Sequence, residues 1–198
     1  MRRITFDIET QGEFIGGIAN PATLELAVVG IHDSADDQYR CYEQSELGEL
    51  WPVLERADIL IGYNSDHFDI PILNKYYAGD LERIRSIDLL KEVKAVLGRR
   101  LRLDNLAEAT LGKGKSGSGL EAQKWIKAGQ MDKVKAYCLD DVRITKELYD
   151  HARTHGSLKY KDYDLSAGKA GGVREIKLDT SLWESAEGAS ALTHTLPF

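Results

Sequence analysis

Four acidic side chains and one tyrosine stand where they could do chemistry together. The first two are Asp7 and Glu9 in "TFDIET", inside an otherwise apolar strand pattern. Side chains on a strand alternate faces, so these two carboxylates point the same way. Burying two like charges unpaired costs several kcal/mol each. The third is Asp69, closing "GYNSDHFDIP" just beyond a short buried-strand pattern, the position where α/β sheets bind ligands. An Asp before Ile-Pro is also a good helix N-cap, and that reading stands beside the first. The fourth is Asp141 in "YCLDD". On a helix it shares an inward stripe with Val134, Tyr137, Cys138, Ile144 or Thr145, and Leu148. Tyr137, one turn earlier, could simply cap a buried Asp141. Asp140, rotated by about 100°, should be more exposed.

Each feature is ordinary alone; an Asp-x-Glu arises by composition about once in a chain of this size. Their convergence is not ordinary, because four carboxylates facing one place require cations. Two Mg²⁺ ions would offset four negative charges with oxygen ligands of the type that hard divalent ions prefer. Metals paired about 4 Å apart suit in-line displacement at phosphorus.

The elements that must position these residues follow from pattern. Residues 3–9, 23–32 and 38–42 read as strands joined closely enough for an antiparallel meander. A helix follows in "SELGELWPVLERA", expected to start late because Pro52 is tolerated only near a first turn. "DILIGYN" reads as a buried parallel strand. A helix from Asp69 to Gly79 is expected next, with Pro71 in its first turn. "IRSID" is a short strand, "LLKEVKAVLG" a helix closed by Gly98, and "RLDNLAEATLG" a helix closed by Gly112. "GKGKSGSG" is a break, with Ser118 and Glu121 as a possible capping box. Helices then follow at "LEAQKWIKAG" and over 132–155. The order predicts an α/β fold with a mixed central sheet, its first three strands antiparallel, and helices on both faces. We take 1–156 as the domain and 157–198 as an extension, with "SAGKAGG" as a linker, a short strand or two and a flexible tail.

Composition is that of an ordinary globular chain, 42% hydrophobic and 29% charged. The net charge of −6 hides an asymmetry. Residues 1–90 carry 7 basic and 17 acidic side chains, residues 91–135 carry 11 and 5, and residues 136–198 carry 8 and 10. An acidic site beside a basic surface fits this division, as does a solvated, Lys-rich pair of helices. Cys41 and Cys138 have no metal-ligand spacing and read as separate reduced core thiols of a cytoplasmic protein. The strand pattern begins by Ile4, so no signal peptide is expected, and no apolar run is long enough to span a membrane.

Taken in order, "FDIET", "NSDHFD" and "YCLDD" resemble the three motifs of the ribonuclease H-like 3′–5′ exonucleases that use four acids and a tyrosine, the DEDDy class. The likeness is greatest to stand-alone exonuclease domains related to family B polymerases and to YprB-like ribonuclease H-like domains. It covers about residues 2–152 and includes "SIDLL" and "RLDNLA". The resemblance implies a ribonuclease H-like fold and hydrolysis of single-stranded DNA or RNA from the 3′ end with two Mg²⁺ or Mn²⁺ ions. By position, Asp7, Glu9 and Asp141 would hold the catalytic ion, Asp7 and Asp69 the second, and Tyr137 the attacking water. The histidine variant would need His at Ala136, so the tyrosine class is favoured. Asn64 and Phe68 would shape the groove around the terminal nucleotide.

"ATLGKGKS", residues 109–116, imitates a phosphate loop, but it follows a helical pattern rather than a strand, so no nucleotide triphosphate partner is expected. Lys113 and Lys115 there could instead touch substrate backbone, or belong to a plain linker. Two rivals remain at this level: a ribonuclease H-like endonuclease using the same acids, and a nucleic-acid-binding module without catalysis.

Overall fold

Residues Ile4, Phe6 and Ile8 are nearly inaccessible, while Arg3, Thr5, Asp7 and Glu9 alternate with them, so the first strand offers one oily face and one polar face. The computed structural model describes residues 1–12, 21–114, 119–164 and 169–185. In it, β1 (Arg3–Gln11), β2 (Glu25–Asp33) and β3 (Gln38–Glu43) form the expected antiparallel meander. Strands β4 (Ile59–Gly62) and β5 (Ser86–Asp88) add in parallel on the other side of β1, giving the order β3-β2-β1-β4-β5. The mixed α/β sheet read from the sequence is therefore present.

Helices cover both faces. On the face of Phe6, α1 (Leu47–Leu54) and α2 (Asp69–Leu73) bury Leu47, Leu50, Leu54, Ile70 and Leu73 against the sheet. On the opposite face, α3 (Leu89–Leu97), α4 (Leu103–Leu111) and α6 (Met131–His155) share a core with Ile59 and Ile61. Between them in sequence runs α5 (Gly119–Lys127), which packs on α6 and β1. The anticipated stripe of α6 is buried along its length, from Val134 through Tyr137, Cys138, Asp141, Ile144 and Thr145 to Leu148.

Three local expectations fail. Helix α1 does not start late: a 3-10 turn at Gln44–Glu46 leads into it and Pro52 is its sixth residue. Burial of three leucines outweighs the single backbone donor that proline lacks, and the helix ends two residues later. Helix α2 stops at Leu73 instead of continuing to Gly79, because the Asn74 side chain turns the chain by bonding Asp80 and the Leu81 amide. Finally, "SLKYKDYD" and "KAGGVREIK" pair as an antiparallel hairpin, β6 (Ser157–Asp164) and β7 (Lys169–Lys177), so Gly171 and Gly172 belong to a strand rather than a linker. Leu158, Tyr160, Ile176, Leu178 and Trp183 are buried in the same apolar cluster as α3, α4 and α6. The capping box at Ser118 and the tail from 186 onward lie outside the described residues.

Candidate functional site

The polar face of β1 lies beneath α6, and one residue governs how closely they approach. Asp7 pairs in register with Gly30 of β2, and Gly30 pairs with Cys41 of β3. Where a side chain at Gly30 would stand, Cys138 of α6 sits instead: a Cβ there would be 2.9 Å from its Sγ. The Cys138 thiol donates to the Asp7 carbonyl oxygen at 3.4 Å. Cys41 packs against the cluster that holds the buried Cys138, so the two cysteines read as separate in sequence meet in the fold. This contact seats α6 directly over the two carboxylates.

The result is a cluster. One carboxylate oxygen from each of Asp7, Glu9 and Asp141 lies within 4.8 Å of the others, with Glu9 and Asp141 buried and Asp7 partly so. Tyr137 is buried, its ring edge-on to Trp125 at 6.1 Å, one helical turn before Asp141 and close to its carboxylate. Burial first, then the charges of Asp141, Glu9 and Asp7, push this phenol far above its ordinary range, so the hydroxyl keeps its proton at any physiological pH.

Asp69 approaches from the other side. It is the first residue of α2 rather than its cap, which is Phe68, so the N-cap alternative fails. Its carboxyl is only 4% exposed and accepts from the Ile8 backbone amide, between the two β1 acids. Burial, followed by the nearby charges of Asp88 and Asp141, raises it to about 8, with the Ile8 bond working in the other direction. A carboxyl so raised marks a place that disfavours another negative charge and favours a cation. Asp69 stands outside the group of three acids; Asp7, Glu9 and Asp141 offer one another carboxylate oxygens, so a hard divalent cation fits that cluster.

The rim beyond the carboxyl ends of β4 and β5 holds Asn64 and Phe68. Asn64 is left-handed at φ 66°, a conformation Asn tolerates better than most residues. Its amide donates to Asp88 Oδ1 at 2.7 Å, and its Oδ1 accepts from Arg100 Nη2 at 2.7 Å. Phe68 is partly buried against the apolar cluster beneath α2. Lys113 is committed to Glu147 of α6, with Nζ 2.7 and 2.6 Å from its two oxygens. Lys115 lies outside the described residues.

Sequence reasoning passed over Asp88. Its buried carboxylate accepts from the backbone amides of Asn64, Asp66, Leu90 and Lys91, capping α3 and fixing the turn that leads to Asp69. The available signal was an Asp between a strand pattern and a helix pattern, the ordinary N-cap position. The phosphate-loop imitation is indeed misplaced, since Gly112 is the left-handed C-cap of α4.

Residues 4–153 match the RNase H superfamily. The fold is similar to that of the family B DNA polymerase from the hyperthermophilic archaeon Pyrobaculum calidifontis, with a TM-score of 0.59 and 20% sequence identity. That similarity covers 77% of this chain but only 24% of the polymerase, so this chain corresponds to about a quarter of it. No curated protein matches the sequence.

Proposed function

The chain belongs to the RNase H superfamily, and from that premise we propose that it is a metal-dependent 3′–5′ exonuclease acting on single-stranded nucleic acid. The observation that carries this reading is the meeting of Asp7, Glu9 and Asp141 within 4.8 Å, from a strand and a helix distant in sequence. The order of the three acidic motifs supports the tyrosine-containing exonuclease class.

In this reading Asp7, Glu9 and Asp141 would hold one ion and Asp7 with Asp69 a second, Mg²⁺ or Mn²⁺ in each case. Bound there, divalent cations supply an activated water and positive charge for the leaving oxygen. Tyr137 contributes a hydroxyl that stays protonated beside Asp141, which lets it orient a water without acting as a base. The Ile8 amide and the turn fixed by Asp88 hold Asp69. The chemistry would be hydrolysis of the terminal phosphodiester with release of nucleoside monophosphates.

The test is digestion of 5′-labelled single-stranded DNA and RNA with Mg²⁺, Mn²⁺ or chelator, beside Asp7→Ala. A metal-dependent ladder shortening by single nucleotides from the 3′ end, lost in Asp7→Ala, is the expected result. Internal fragments would replace the exonuclease by an endonuclease on the same acids. Binding without cleavage in any lane would reduce the chain to a binding module.

A further inference from the structure

We propose that Arg100 is a phosphate-binding residue, gripping the backbone of the nucleic-acid strand at the rim of the acidic cluster; this rests on the nuclease reading above. The clustered carboxylates of Asp7, Glu9 and Asp141 repel a polyanion, so a strand that reaches them needs fixed positive charge beside them. Residues 98–102, "GRRLR", connect α3 to α4 next to the turn that carries Asn64 and Asp69. This connection is pinned from within. Tyr63, whose burial keeps its phenol protonated, donates to the Leu101 carbonyl at 2.9 Å, and Leu101 itself is buried.

The three arginines of the connection face different partners. Arg99 pairs at 2.9 Å with Asp162, a carboxylate it shares with Arg174, and Arg102 pairs with Asp104 at 3.1 Å, so each already faces a carboxylate. Nearby, Lys91 is paired with Asp66 at 3.0 Å and Lys113 with Glu147. Arg100 differs: it is exposed, and its Nη2 bonds the neutral side-chain amide oxygen of Asn64 at 2.7 Å. Such a contact aims a guanidinium without cancelling its charge. A guanidinium carries five N–H donors in a planar fork, so one bond to Asn64 leaves an edge for two phosphate oxygens.

Asn64 is suited to hold that fork still. Its backbone is fixed in a left-handed conformation, and its amide is tied to Asp88, which also caps α3. Its carbonyl accepts from the Phe68 amide at 3.0 Å, closing the turn that delivers Asp69. One short chain of contacts therefore sets the positive fork of Arg100 and the acid of Asp69 on the same rim. The recognition is of a phosphodiester group, without regard to base.

Binding of a fluorescein-labelled single-stranded oligonucleotide, followed by anisotropy in chelator across a salt series, tests this directly. Arg100→Gln is expected to weaken binding about threefold to tenfold and to flatten the slope of log Kd against log salt by about 0.7, the value of one phosphate contact on a single strand. Arg100→Lys, which keeps the charge, should restore most of the slope. In turnover with Mg²⁺, Arg100→Gln should raise KM more than it lowers kcat. Its loss on the oligonucleotide should exceed its loss on thymidine 5′-(p-nitrophenyl phosphate), which has no flanking phosphate, by the factor seen in binding. An unchanged slope overturns the assignment, as does an equal loss on both substrates, which would make Arg100 a mere support for Asn64. Failure of the nuclease reading looks different: neither substrate is hydrolysed by the wild type, while the salt slope still reports whether Arg100 meets the backbone.

Discussion

Gly30 is where a single carbon atom should disturb the site without touching any of its acids. In Gly30→Ala the new Cβ would stand 2.9 Å from Cys138 Sγ, 3.1 Å from Val142 Cγ2 and 3.3 Å from Leu139 Cδ2, all on α6. Ordinary contact begins at 3.4 Å, so 3.4 less 2.9, or 0.5 Å, is the least that α6 must lift at Cys138. None of the three neighbours is a long flexible chain, and Cys138 and Val142 are fully buried, so the helix has to move with them. Overpacking of this type costs about 1–3 kcal/mol. At about 2–4 °C per kcal/mol for a domain of this size, the melting temperature should fall by roughly 2–12 °C. The same movement carries Asp141 and Tyr137 away from Asp7. Since misplacement by about 1 Å can cost a hundredfold in rate, half that distance should cost about tenfold. Removing the sulfur in Gly30→Ala/Cys138→Ala leaves a shortfall of 3.4 less 3.1, or 0.3 Å, and should recover part of both losses. Thermal melts with single-nucleotide release from a labelled oligonucleotide measure the two effects together. A Gly30→Ala protein with wild-type melting and wild-type rate would refute the idea that the sheet sets the position of α6 here.

Asp69 should impose a pH dependence on metal-free stability. Folded, its carboxyl keeps a proton up to about pH 8, whereas unfolded it releases it near 3.8, so stability is present at low pH and lost as pH rises between those values. Denaturant midpoints in chelator at stepped pH should show this decline, and Asp69→Asn should lack it; parallel profiles would mean the site is already neutralised. Asp88→Ala leaves the amides of Asn64 and Leu90 without their acceptor and should destabilise the fold by about 1–3 kcal/mol while weakening Mn²⁺ binding. Asp88→Asn, which keeps one acceptor oxygen, should recover much of both in melts and Mn²⁺ titration. Tyr137→Phe retains the ring against Trp125 but removes the hydroxyl beside Asp141, and should slow hydrolysis roughly tenfold or more with metal affinity preserved. Single-turnover rates at saturating Mn²⁺ check it, and an unchanged rate would take Tyr137 out of the mechanism.

What the sequence determined by itself was the inward direction of each acid. A period of two puts Asp7 and Glu9 on one face of β1, and a period near 3.6 puts Tyr137 and Asp141 on the buried stripe of α6. These repeats depend on residues two to four apart, so they are legible without the fold. The same local rule is visible in β6, where Leu158 and Tyr160 are buried between exposed lysines, in the extension where a short strand or two was expected. Partner choice across the chain is different. Asn64 meets Arg100, 36 residues away, rather than Arg99 or Arg102; Asp88 rather than Asp66 holds the Asn64 amide; Cys138 drops over Gly30 against Cys41. Each of these turns on sheet register and on a helix packed within fractions of an ångström. Only the tertiary structure fixes distances that small, because local patterning says which way a side chain faces and not what waits there.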